Sequence, residues 1–366
     1  YTPPTGFNAL NTANLPEPAV TDGSEYFHTQ LYTGNGSSGH AITNDANAGD
    51  FQPDFLWLAP RSNGDNHVMW DVARGTTSRI YSNKADPADV DGTAQLTFEA
   101  DGFDLDTTDP NYNGSGRTYV AWQWKTQGGA GSSNTDGSIN TTTTSVNQAA
   151  GFSINTYTGT KSNATVGHGL GAVPKMILIK DTTNTESWIV YHEAVGNDGN
   201  LYLNLTSAKV TQAVWQNTTP TSSVFSIGTT DGVNKASAVH VAYCFAEVEG
   251  YSSFGGYTGN GSTDGTFVST GFKPAFVLLK RTNATQEWQM YDTQRDPFNV
   301  ANHKLEANSS GAESILTGDN NLDFLSDGFK LRQANGGMNA SGSTYIYMAF
   351  AENPFGGDGA APATAR

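Results

Sequence analysis

One interval recurs three times along the chain and constrains its folding more than any other feature. A proline opens a short apolar run at Pro53, Pro174 and Pro274, and an aromatic follows at an identical spacing in each case, at Trp70, Tyr191 and Tyr291. Other landmarks recur in the same order around it. A Tyr-Thr-Gly turn comes first, at Tyr32, Tyr157 and Tyr257, and an asparagine follows at Asn83, Asn204 and Asn308. A further aromatic stands at Phe103, Phe225 and Phe329, and a last one closes each copy at Trp124, Phe245 and Phe350. The separation of those final two is nearly constant across the copies.

The segments between landmarks read as strands. A proline at a strand start costs no ladder hydrogen bond, and the runs after it, such as Met176-Ile177-Leu178-Ile179, are apolar at nearly every position. Such runs belong to central strands buried on both faces. Glycine, asparagine and aspartate turns separate six or seven short strands per copy, and no amphipathic helix is evident. The fold class expected is all-β: three tandem β-sandwich, jelly-roll-like repeats of about 100 residues each. The repeats begin near Tyr26, Gly151 and Tyr251 and occupy 26–126, 151–250 and 251–355. Residues 1–25 read as an extended N-terminal linker leaving something upstream, and 356–366 as a C-terminal tail. Between the first two repeats, 127–150 is a Gly/Ser/Thr/Asn-rich linker or hides an edge strand. The third repeat follows the second closely, since the stretch from Phe245 to Tyr257 is far shorter than that from Trp124 to Tyr157.

Charge and cysteine content narrow the partners. A formal net charge of −16 with no basic run repels phosphate backbones, so neither nucleic acid nor an anionic membrane is an expected partner. No stretch approaches a run of about 20 apolar residues, the length that crosses a bilayer. The lone cysteine, Cys244, has no intrachain disulfide partner and sits in a run that reads as a buried strand.

Motifs that carry chemistry are weak. Gly34 to Gly39 satisfies a G-x-G-x-x-G spacing but ends a strand instead of opening a helix. Asp101, Asp104, Asp106 and Asp109 form the best all-oxygen cluster, a candidate calcium site, although their spacing is not that of an EF-hand and a solvated acidic edge is the simpler account. No cofactor other than calcium is implied. Glu247, Glu249 and Glu352 follow closing strands and raise a glycosidase reading, against which their recurrence argues for a strand-end role. Asp71 with Arg74, and Asp292 with Arg295, repeat at one common interval and read as salt bridges bracing a turn, with His192 replacing the aspartate in the middle copy. The aromatics outside the repeated pattern, Tyr112, Trp215 and Phe298, are the candidates for a ligand-binding surface role.

Several longer phrases carry a resemblance. These are the opening Thr2-Pro3-Pro4-Thr5-Gly6-Phe7, the segment Val166-Gly167-His168-Gly169-Leu170-Gly171, and the closing strands running Val241 to Tyr251 and Tyr345 to Phe355. They resemble an uncharacterised repeat-domain family of structural proteins of tailed bacteriophages, notably marine ones, often following a SPRY-like or concanavalin-like sandwich. The resemblance implies a virion-surface, extracellular location and supplies no catalytic residues. It leads to the expectation of a non-enzymatic tail fibre or host-recognition appendage, a homo-oligomer, expected as a trimer, contacting other virion proteins and host surface glycan. A capsid decoration protein and a secreted polysaccharide-degrading enzyme are the alternatives.

Overall fold

The computed structural model describes residue 4 and residues 19–45, 50–318 and 321–351. Most of the expected N-terminal linker, the C-terminal tail and Glu352 lie outside the described residues. The chain is all-β, a set of antiparallel sheets with two single-turn α-helices, Pro110–Asn113 and Asp231–Asn234, and a 3-10 turn at Gly23–Glu25 among the described residues.

Three large sheets share one strand order, in which the opening strand pairs with the closing strand and the closing strand with the run that begins at or just after the proline. In the first sheet these are Phe27–Thr33, Thr118–Trp124 and Phe55–Pro60; in the second, Phe152–Thr158, Val239–Ala246 and Pro174–Asp181; in the third, Ser252–Thr258, Thr344–Ala351 and Pro274–Arg281. The strand carrying the aromatic at the fixed interval, Val68–Asp71, Ile189–His192 or Gln289–Asp292, pairs next. Within 127–150, Thr143–Asn147 is a strand on the edge of the second sheet, in register with Phe152–Thr158. A small sheet faces each large one. Phe103, Leu105 and Leu96 pack on Leu56, Leu58 and Trp70; Phe225 and Ile227 on Ile177 and Ile179; Phe329 and Leu331 on Val277 and Leu279.

The alternation of a strand explains why the runs after the prolines are apolar throughout. Leu56 and Leu58 point into the first sandwich, while Phe55, Trp57 and Ala59 point the other way, into a core shared by all three large sheets. Met176 and Leu178, and Phe276 and Leu278, do the same. The large sheets thus share one central core, because a large sheet with only one face covered must bury the other. At the middle of that core the three closing aromatics meet: ring centroids are 6.4 Å apart for Trp124 and Phe245, 5.7 Å for Trp124 and Phe350, and 6.1 Å for Phe245 and Phe350.

The recurring Tyr-Thr-Gly turn has a steric cause. A Cβ on Gly34, Gly159 or Gly259 would stand 2.4, 2.2 or 2.4 Å from the carbonyl oxygen of Gly114, Lys235 or Ala340, so only glycine lets the two backbones approach. The tyrosine hydroxyls of Tyr32, Tyr157 and Tyr257 donate to the carbonyls of Tyr112, Val233 and Met338 across the same junction. Wholly buried Asn113, Asn234 and Asn339 complete it by accepting from the loop amides of Asn35, Thr160 and Asn260.

The shared core sets an expected outcome. Residues 151–250 expressed alone expose Phe152, Met176, Leu178, Tyr243 and Phe245, and should give a poorly dispersed amide NMR spectrum; a well-folded monomer would contradict the shared core. In the whole chain Phe245→Ala should cost about 3–5 kcal/mol in urea denaturation, the cost of a core cavity left by phenylalanine.

Candidate functional site

The polar residues that recur are engaged at the seams between sheets. In each large sheet the strand paired with the proline run ends on a side chain that reaches the closing strand of another sheet. The carboxylate of Asp71 in the first sheet accepts from the Tyr243 hydroxyl of the second at 2.6 Å. Asp292 in the third accepts from the Trp122 indole N–H of the first at 3.1 Å. His192 in the second bonds through Nε2 to the Tyr347 carbonyl of the third at 3.1 Å. The contacts run first to second, second to third and third to first, closing a ring.

Arg74 and Arg295 brace the two aspartates, each placing Nε 2.6 Å from a carboxylate oxygen. The turn-bracing pairs expected from the sequence are therefore present, with a further reach. Arg74 also donates to the carbonyls of Met69 and Ser78 and to the Tyr243 hydroxyl, and Arg295 to the Met290 carbonyl and to Glu313. Glu313 in turn takes a bidentate pair of hydrogen bonds from Arg61 of the first sheet, at 2.9 and 3.0 Å. Trp188 and Trp288 send their indole N–H groups back to the carbonyls of Tyr81 and Tyr202 in the preceding sandwiches. The ammonium groups of Lys180 and Lys280 dock on carbonyls of Ala85 and Thr206 in the same direction.

The pattern lapses between the second and third sheets. Val195 stands after His192 at the position where Arg74 and Arg295 stand after their aspartates. Across from it, Gly256 precedes Tyr257, where Leu31 and Thr156 precede Tyr32 and Tyr157. A groove of about 340 Å³ opens there, bordered by Val195 and Lys209 of the second sandwich and by Gly256, Thr258, Thr282 and Thr344 of the third. A Cβ on Gly256 would stand 3.0 Å from that of Ala194, so any side chain there narrows the groove. The Lys209 ammonium donates to the Val195 carbonyl at 2.9 Å and to Asp198 at 2.7 Å. The hydroxyls of Thr282 and Thr344 bond each other at 2.6 Å.

The residues expected to form sites lie elsewhere. Tyr112 and Trp215 are buried, correcting the surface role expected of them. Tyr112 packs edge-on against Trp70 at 5.0 Å, and Trp215 edge-on against Tyr191 at 5.5 Å with its indole donating to the Gly199 carbonyl. Both fill outer cores that the repeated residues leave open. Phe298 is 81% exposed, on a loop, and is not one of the groove-lining residues. The four calcium candidates are not brought together as a ligand set. Asp109 caps the Pro110–Asn113 helix, Asp106 accepts from the Thr97 hydroxyl, Asp104 lies mid-strand, and Asp101 keeps one buried oxygen without a partner. Among the described residues no group of three or more His, Cys, Asp or Glu side chains is placed to hold a metal. Glu247 and Glu249 are exposed, and Glu247 accepts from the Phe254 amide, bracing a turn. Cys244 is wholly buried in its strand, and burial raises its thiol pKa.

Sequence reasoning missed the buried asparagines and the indoles that cross the seams. Both had a spacing signal. Asn113, Asn234 and Asn339 each stand at one common distance before the last aromatic, and His67, Trp188 and Trp288 at one common distance after the proline.

Two seam histidines tie the ring to pH. Burial pushes His192 down to about 4, against the pull of its bond to the Tyr347 carbonyl, and burial with the nearby Arg295 charge pushes His67 down to about 3. His192 is thus neutral, with Nε2 donating to Tyr347 and Nδ1 accepting from the Ala194 amide. Between pH 6.5 and the folded value, the unfolded chain binds a proton that the folded chain refuses. The contribution of each such histidine is therefore full above about pH 6.5 and falls on acidification by about 1.4 kcal/mol per pH unit, levelling below the folded pKa. Urea denaturation at pH 7.0, 5.5 and 4.5 should show this slope, and His192→Gln should reduce it; an unchanged slope would remove His192 from the account. His192→Asp should destabilise by about 3–5 kcal/mol at pH 7, because Met348 occupies the place of Tyr243 and Trp122 and offers the carboxylate no donor.

No curated protein and no solved structure matches the chain. A family model described as a domain of unknown function (DUF7483) matches residues 22–354, across all three large sheets, and the chain belongs to that family.

Proposed function

We propose that this chain is a non-enzymatic structural protein of a tailed-bacteriophage virion, three tandem copies of one sandwich displayed on a tail fibre or host-recognition appendage, where it binds cell-surface glycan. The observation that carries the reading is the use made of the recurring polar groups. Asp71, Arg74, Asp292 and Arg295 would be the first candidates for chemistry, and all four are occupied in holding sheets together. Among the described residues, a groove open to a partner lies where the bracing lapses. The virion-surface, extracellular location rests on the resemblance of the opening and closing phrases to phage structural proteins. The glycosidase alternative loses its best-placed residue, since the Glu247 carboxylate is bonded to the turn that follows it.

A capsid decoration protein is the second reading. Threefold closure inside one chain favours it, because three similar faces suit a threefold position on a shell. For either reading we propose a homo-oligomer, a trimer, in contact with other virion proteins. The inner faces of the sheets are already occupied within each chain, so chains would meet through outer surfaces.

Imaging of intact particles separates the readings. Density for the three-sandwich ring on a tail appendage is the expected result, ring density at high copy number on the head would transfer the assignment to decoration, and its absence from particles would sink both. Light scattering of the purified protein should give three times the chain mass.

A further inference from the structure

We propose that the groove between the second and third sandwiches is a binding site for one neutral sugar residue of a glycan chain, with Lys209 and Thr258 as its principal hydrogen-bonding residues. This rests on the glycan-recognition reading above and assigns that recognition to a place.

The groove exists because three substitutions coincide at one seam. An arginine is replaced by Val195, an aspartate by His192, and a side-chain-bearing strand residue by Gly256. At the other two seams the arginine guanidinium is fully engaged with carboxylate and carbonyl groups. Here the one bond from His192 across the seam is made to a backbone carbonyl, and the space beside it stays open. At about 340 Å³ the groove lies near the lower end of the roughly 300–1,000 Å³ of small-ligand sites, which is room for a sugar ring.

The chemistry of its walls selects the ligand. An ammonium has three N–H donors, and Lys209 commits two of them, to the Val195 carbonyl and to Asp198, so one is available to a ligand oxygen. The adjacent Asp198 balances its charge, and the chain as a whole carries −16, which disfavours a carboxylate- or sulfate-bearing sugar. Thr258 is exposed on the opposite wall, with a hydroxyl able to donate and to accept. A donor on one side and a donor–acceptor on the other match the hydroxyls of an uncharged pyranose. Ala194, Gly256 and Thr258 at the rim are exposed, leaving room for the rest of a glycan to continue outward.

The test is a panel of methyl glycosides of glucose, galactose, mannose and N-acetylglucosamine, with glucuronic acid and N-acetylneuraminic acid as charged counterparts and purified host surface polysaccharide alongside. Binding is followed by saturation-transfer NMR and calorimetry. The expected result is binding of at least one neutral glycoside, with Kd on the order of millimolar, weakened tenfold or more by Lys209→Met and by Thr258→Val. The double variant His192→Asp, Val195→Arg restores the bulk present at the other seams and should abolish binding. Should it fail to fold, the first two variants decide, provided their melting temperatures match that of the parent. Binding undiminished in Lys209→Met and Thr258→Val would overturn the site while leaving glycan recognition standing. Preference for the charged sugars would overturn the ligand class. If the parent protein binds neither the glycosides nor the polysaccharide, the glycan reading fails together with the site.

Discussion

The meeting of Trp124, Phe245 and Phe350 is the contact on which the rest of the molecule depends. Each large sheet has two apolar faces, and its own small sheet covers one of them. The other face can leave water only if the remaining two sheets turn theirs to it. Three sheets around a common centre cover every such face once. Aromatic side chains suit the crowded centre, since each removes a large area from water and edge-to-face contacts add about 0.5–1.5 kcal/mol beyond the area buried. Phe27, Phe276 and Tyr243 extend the cluster outward from that centre, and Phe276 and Phe350 both lie against Phe27 of the first sheet.

Seams buried this deeply impose a rule on their polar residues, and the rule shows within one sequence. A buried carboxylate must find donors or destabilise the fold. Where the next sheet offers a hydroxyl or an indole N–H, at Tyr243 or Trp122, the facing residue is an aspartate with an arginine behind it. Met348 is the corresponding residue of the third sheet and offers neither. The facing residue there is a neutral histidine that donates to a backbone carbonyl, and the arginine, having no carboxylate to pair with, is gone. The departure of His192 from the pattern is thus set by the strand it faces, 155 positions later.

That distance marks the limit of what the sequence makes legible. Strand identity, the order of landmarks and the turn role of the Asp–Arg pairs follow from local spacing, because alternation and turn chemistry act over a few residues. The second partners of the same aspartates lie 172 and 170 positions away, and no local period encodes them. Tyr112 and Trp215 mislead for a related reason. Being outside the common frame, they look free for a surface role, yet the frame leaves each outer core incompletely filled and different loops supply the missing ring, beside Trp70 in one and Tyr191 in the other. The groove is the converse case: its position is written in the sequence as the place where the copies disagree, but disagreement yields a cavity only once Val195 and Gly256 are known to flank one seam.

Chain connectivity explains which seam can do without the full brace. The second and third sandwiches are joined by the short stretch from Phe245 to Tyr257, so their mutual encounter is intramolecular over a small loop and costs little chain entropy. The first and second are joined by the much longer stretch from Trp124 to Tyr157, and their seam keeps the full Asp71–Arg74–Tyr243 arrangement. The third and first are not neighbours in sequence. That closing seam carries the most extensive network, in which Arg61, Glu313, Arg295, Asp292 and Trp122 are linked in series and Arg295 lies 5.5 Å from the centre of the Trp122 ring. At the position of the Asp–Arg pairs, polar bracing thus grows as the covalent tether lengthens. The shortest tether is where a brace can be given up with the least loss of stability, and it is there that the chain has opened a groove.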